Sequence, residues 1–461
     1  MLLLLLLQRE IHVRWPAWVI VAWLVPMSAY FALGLKLKRP LFLLQGLAAA
    51  AAIFLWAMLA TIPARYPFYE VGNMRALTVP VVIVAFYGLF ALLYRRAPKL
   101  FTDNAAVYAG YARDGFSLAA TILLVTLLTY EINDYNKAFT VLAWIVLAVT
   151  LLEVGRRMAD LGLKSQGMTL ALAAFARAVL VNLDGPHGIY GALNGRIITV
   201  TITALWLMYI FLRLRGSREA TILQVEERHA GALFGYLSTA LLIMVMRSDV
   251  HPHTLAPAAF AGLLIVLLLA GRLLSERHFL YQALAVVAPV VLGVMGYNFT
   301  AAGSSANRLG GFVAIGLLFL ARVLWQTVLV KSAGRYVEEG PALSFLQGVA
   351  RHIFSVPAAA LLVVFLFLEM SGPLEKYLTI AWAGEGLLLM VLGFALGDRL
   401  LRFGGLGLLA VCVLKVFYDL YVLDIERVYK VVALIGLGGI LILTGWFYSR
   451  YRAQIKKLLV D

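Results

Sequence analysis

The chain has a single cysteine, Cys412, in 461 residues. One cysteine excludes an intrachain disulfide and any thiolate metal cluster. Charge is scarce as well. Asp, Glu, Lys and Arg make up 14% of the residues, against about 25% in an ordinary soluble domain. There is no HExxH, no glycine-rich phosphate loop before a helix and no serine elbow. His251-Pro252-His253 lies beside Asp249, but no third ligand is near, so neither a metal nor a cofactor is expected. No linker is long enough to fold as a separate soluble domain, which leaves one membrane domain over 1–461.

What is present is apolar. The apolar fraction is 63% and the mean hydropathy +0.90. Such a chain is neither disordered nor a soluble globular enzyme. A spanning helix needs roughly 20 mostly apolar residues. Fifteen stretches qualify, near 15–35, 41–62, 78–94, 116–133, 138–155, 168–183, 196–214, 229–246, 255–274, 279–298, 310–330, 351–370, 376–397, 404–422 and 429–449. The sixth carries Arg177 and is the least apolar, so 14 or 15 spans are expected. Continuous runs such as Leu361-Leu362-Val363-Val364-Phe365-Leu366 favour helices, because barrel strands alternate. The predicted class is an all-α polytopic membrane protein.

Lys and Arg alternate between linkers. The N-terminal tail and even-numbered connections hold 11, the odd-numbered connections and C-terminal tail 25, and the spans three. This asymmetry predicts an outer N-terminus and a basic cytoplasmic tail at 450–461. The excess of 15 positive charges therefore orients helices and meets lipid headgroups; membrane lipids and other membrane proteins are the expected partners, not nucleic acid.

The spans repeat. Glu10, Trp23, Gly34, Gly46, Tyr69, Asn73 and Arg75 return 121 residues later as Glu131, Trp144, Gly155, Gly167, Tyr190, Asn194 and Arg196. Glu369, Trp382, Gly393 and Gly405 keep the same spacing, and Tyr421 precedes Arg427 as Tyr69 precedes Arg75. A worn copy reads Arg247, Phe260, Gly271 and Ala283, then Tyr297, Asn307 and Arg308. This predicts four tandem parallel units of about 115–121 residues, near 9–130, 131–246, 247–368 and 369–449. The run from Met1 to Leu7 is too short to span. It reads as the remnant of a helix from a preceding unit.

The repeated glycines suit close helix packing and the tryptophans packing anchors. Arg75, Arg196, Arg308 and Arg427, with Asn73, Asn194 and Asn307, fall at the outer starts of third helices. There they either anchor a helix at the headgroups or meet an anionic group such as a phosphate or uronate.

Residues unique to one copy are the stronger candidates. Glu385 lies three residues after Trp382, where other copies have Pro26, Leu147 and Leu263. Lys415 and Asp419 share one face of the next helix. Lys415 matches Arg177, Trp56 and Gly293. Glu385 and Lys415 fall about 13 and 10 Å from the outer boundary, at 1.5 Å per residue. Arg322 is a further intramembrane charge with no partner visible in the sequence. Intramembrane charges are costly and mark either function or a structural ion network.

The last unit also carries a pattern: Trp382-x-x-Glu385, Gly397-Asp398-Arg399, Arg402, Gly405, then Lys415-Val416-Phe417-Tyr418-Asp419-Leu420 and Arg427. It resembles the C-terminal region of a bacterial family of multi-pass membrane proteins containing a domain of unknown function. That resemblance implies a bacterial cytoplasmic-membrane protein and brings no activity, substrate or cofactor. The leading expectation is translocation or envelope export of an anionic lipid-linked or small solute, bound by Glu385, Lys415, Asp419, Arg177 and Arg322. A non-catalytic scaffold is the second reading. A membrane transferase using Glu131 or Glu369 as base is the third, and no catalytic residue is assigned.

Overall fold

The computed structural model describes residues 16–37, 39–64, 67–68, 72–100, 104–183, 188–190, 193–215, 222–274, 276–299, 305–332, 341–370, 377–421 and 427–450. Glu10, the leucine run and most of the basic tail lie outside them. Fifteen α-helices follow in chain order: α1 (Val19–Leu37), α2 (Pro40–Trp56), α3 (Arg75–Leu100), α4 (Asn104–Tyr135), α5 (Thr140–Arg157), α6 (Leu161–Arg177), α7 (Gly195–Leu214), α8 (Ile222–Asp249), α9 (Ala256–Leu274), α10 (Arg277–Gly293), α11 (Ser305–Ser332), α12 (Pro341–Met370), α13 (Leu378–Ala395), α14 (Arg399–Tyr421) and α15 (Arg427–Arg450). Two antiparallel ribbons, β1 (Pro67–Phe68) with β2 (Gly72–Asn73) and β3 (Gly188–Tyr190) with β4 (Leu193–Asn194), precede α3 and α7. They are loop closures, not a sheet.

Among the described residues, thirteen helices are long and apolar enough to cross a membrane. The expected sixth span, α6 with its π-turn to Asn182, falls short in hydropathy: it holds Lys164, Ser165 and Gln166 in its first turns and Arg177 at the end of its α-helical part. The Gln166 amide is met by α4 rather than by lipid. Gln166 Nε2 donates to Ser117 Oγ at 3.0 Å, and the Thr121 hydroxyl donates to Gln166 Oε1 at 2.6 Å. α15 contributes a ten-residue apolar stretch, Leu434–Leu443.

The chain divides into two compact units, 1–241 and 242–461. In the first, Phe31, Phe86 and Phe116 meet edge to face, with ring centres 5.1 and 5.4 Å apart. In the second, Phe312 packs on Phe365 at 4.4 Å and Trp325 on Phe354 at 5.5 Å.

Four helical hairpins close in one way. The backbone N–H groups of Arg39, Asp160, Glu276 and Asp398 donate to the carbonyls of Gly34, Gly155, Gly271 and Gly393, at 3.2, 2.8, 3.2 and 2.9 Å. The approach needs glycine. A Cβ on Gly155 or Gly393 would lie 2.7 Å from the backbone nitrogen of Lys164 or Arg402. The second helix of the first three hairpins ends in a π-turn, at Ala57–Thr61, Ala178–Asn182 and Val294–Asn298, 121 and then 116 residues apart. Two of these turns are pinned alike. Asn182 Nδ2 donates to the Ala138 carbonyl at 2.9 Å, and Asn298 Nδ2 to the Thr254 carbonyl at 3.1 Å.

Candidate functional site between α13 and α14

Each hairpin places the aromatic residue of its first helix 33 positions before one residue of its second. Trp23 meets Trp56, with ring centres 5.8 Å apart. The Arg177 guanidinium lies 5.3 Å from the centre of the Trp144 ring. A Cβ on Gly293 would stand 3.6 Å from the Phe260 ring. In the last hairpin the same spacing pairs Trp382 with Lys415. The position is thus apolar in two hairpins and cationic in two.

Trp382 is held from two sides. Its indole N–H donates to the Val363 carbonyl on α12 at 3.2 Å, and its ring stacks near Phe367 at 6.2 Å. It also packs on the apolar cluster of Ala383, Leu409, Cys412 and Val416. Below it α13 and α14 touch backbone to backbone: a Cβ on Gly405 would sit 2.5 Å from the Gly386 carbonyl oxygen.

Glu385 lies in this seam and is 4% exposed. Neither carboxyl oxygen has a hydrogen-bond partner, and no ion pair reaches it, among the described residues. Cys412, on α14, lies within electrostatic range of Glu385 across the seam and of Lys415 on its own helix. Burying an ionised carboxylate without a partner is disfavoured by several kcal/mol. A role for Glu385 as one half of a structural ion pair therefore finds no support in the geometry. The side chains of Asp419, Asn194 and Arg427 lie outside the described residues.

Arg177 hydrogen-bonds Asn133 Oδ1 at 3.0 Å and the Lys137 carbonyl at 3.3 Å, while its Nε–H is buried without a hydrogen-bond partner. Arg322 gains a partner that the sequence did not reveal. Its Nε lies 3.7 Å from Asp398 Oδ2, and both residues are fully buried. Asp398 also caps α14 through the Leu400 N–H at 3.0 Å, accepts from Ser355 Oγ at 3.4 Å and faces His352 Nδ1 at 3.7 Å. Arg322 thus joins a buried structural cluster. The signal for Asp398 was available: it stands five residues after Gly393, as Asp160 stands five after Gly155, and Asp160 caps α6 through the Leu163 N–H at 2.9 Å.

Arg75 was expected to be an outer contact, and the structure corrects this. It is 1% exposed, and its guanidinium donates to Glu131 at 2.5 Å, Asp134 at 2.8 Å and the Ile62 carbonyl at 2.9 Å. Asn73 Oδ1 accepts from the Arg75 backbone N–H at 3.3 Å. Arg196 reaches the matching carbonyl, Leu183, at 3.1 Å. Arg308 is 52% exposed and pairs with Glu369 at 3.0 Å. Arg75–Glu131 and Arg308–Glu369, which the sequence spacing expects to correspond, thus both bond, with the arginine buried in one case and open in the other.

The His251 and His253 rings lie 4.4 Å apart, tilted by 56°. The described residues contain no group of three or more His, Cys, Asp or Glu able to hold a metal.

Comparison with curated proteins finds no match, and comparison with solved structures finds none. Residues 135–451 match the family described as Predicted membrane protein (DUF2339). Thirteen membrane-length apolar helices and a match over more than half its length agree: the chain belongs to the DUF2339 family of membrane proteins.

Proposed function

We propose that the protein moves or exports an anionic solute, lipid-linked or small, across the bacterial cytoplasmic membrane, and that the α13–α14 hairpin holds its binding site. The observation that carries this is Glu385, buried without a partner at a position that other hairpins fill with Pro26, Leu147 and Leu263. Lys415 supplies the cation for the solute, at the position where Trp56 and Gly293 stand elsewhere. Arg177 is the cation at the matching position of the α5–α6 hairpin, with one N–H still unused there. The charge pattern of the linkers supports an outer N-terminus, a cytoplasmic C-terminus and a site in the outer half of the membrane. The recurring hairpin closures and π-turns support one membrane domain of four parallel units.

A transferase reading has less support. Glu131 and Glu369, its candidate bases, are each engaged by an arginine. A carboxylate held in an ion pair is a weak base.

Binding of short-chain phosphatidylglycerol to the purified chain, with phosphatidylcholine as control, tests the site. Phosphatidylglycerol is expected to bind more tightly. Lys415→Met should weaken it by about tenfold, about 1.4 kcal/mol, with phosphatidylcholine unaffected. Equal affinity of the intact chain and Lys415→Met for phosphatidylglycerol would contradict the reading.

A further inference from the structure

Glu385 has a property that anion binding by Lys415 does not require. Among the described residues nothing hydrogen-bonds the carboxyl. From α14 the titratable group within electrostatic range of it is Cys412, with Lys415 three residues further along that helix and the Asp419 side chain outside the described residues. α12 carries no titratable side chain from Pro357 to Leu368, nor does α15 from Val431 to Gly445. On α13 itself Glu385 is the only titratable residue. The adjoining part of the seam is apolar: a Cβ on Gly386 would meet the Leu409 side chain at 3.0 Å, and the flanking Gly384 and Gly386 add no side chain.

A permanent charge without partners is disfavoured here, and a permanently apolar residue would pack better, as Leu263 does in its own hairpin. Intramembrane carboxyls in this position serve as proton relays in pumps and carriers. We infer that Glu385 is a proton-binding site that loads in the closed α13–α14 seam and unloads when water enters it. The step is a proton transfer alone. An O–H bond forms on one carboxyl oxygen as hydronium gives up its proton, and unloading returns that proton to water. The inference rests on the reading of this hairpin as the working site, and it makes the anion's passage proton-linked.

Dicyclohexylcarbodiimide tests it on the full chain in lipid vesicles. The reagent partitions into the apolar phase and adds to carboxyl groups that carry a proton. Mass spectrometry of peptides should find the adduct on Glu385. Above the midpoint of its titration the yield should fall by about tenfold per pH unit. The adduct should vanish in Glu385→Gln and persist in Lys415→Met. Absence of the adduct at every pH would overturn the inference, as would a yield that does not change from acid to alkaline pH. Persistence of a pH-dependent adduct in a protein that binds no phosphatidylglycerol would refute the anion site and leave the proton site standing.

Discussion

Replacing Arg75 with methionine is expected to destabilise the chain by about 3 kcal/mol, the low end of the range for breaking a buried ion pair. Arg75 is 1% exposed, whereas Glu131 and Asp134 are partly open to solvent, and that openness places the effect at the low end. Methionine keeps the apolar stem but strands two carboxylates beside each other. It also removes the donor to the Ile62 carbonyl, which follows the π-turn after α2. Arg308→Met probes the same repeat position where it is half exposed, and it should change stability by under about 1 kcal/mol. Thermal unfolding in detergent measures both. Equal effects would show that burial does not decide the strength of this pair.

Gly405→Ala should have a comparable effect, and its neighbour should have the opposite one. The added Cβ would lie 2.5 Å from the Gly386 carbonyl and 2.9 Å from the Met390 nitrogen. Both are backbone atoms, so no side chain can rotate away, and α13 and α14 must separate. Overpacking of this kind costs about 1–3 kcal/mol, and backbone-on-backbone contact places it at the upper end. At Gly404 a Cβ meets nothing within 4 Å. There alanine should stabilise by about 0.5–1 kcal/mol through helix propensity alone. The pair is read by thermal unfolding. Equal shifts for the two variants would mean that the close approach of α13 and α14 does not matter to stability.

The glycine spacing was legible in the sequence because close backbone approach admits no other residue. Gly34, Gly155, Gly271 and Gly393 all prove to be closure points. Helix existence was legible from apolar length, but α6 shows the limit of that signal. Gln166 in its first turns is satisfied by Ser117 and Thr121 on α4, a contact that hydropathy cannot see. Glu385, Lys415 and Arg177 stood out because they break a repeat. The partner of Arg322 was not legible in the sequence for a different reason. Asp398 sits in the α13–α14 turn, 76 residues away, and no local spacing connects the two. Arg75 was misread for a related reason. Its place at a helix start says nothing about Glu131 and Asp134, which α4 brings over it.

The most direct test of the α13–α14 site is movement of an anion in vesicles containing the full chain. Fluorescent phosphatidylglycerol, read by chemical quenching in the outer leaflet, and radiolabelled inorganic phosphate serve as the two probes. The intact chain should move at least one of them. Glu385→Gln and Lys415→Met, each still inserted, should each reduce that movement to the leak of protein-free vesicles. Full rates in both variants, or movement of neither probe by the intact chain, would contradict the account.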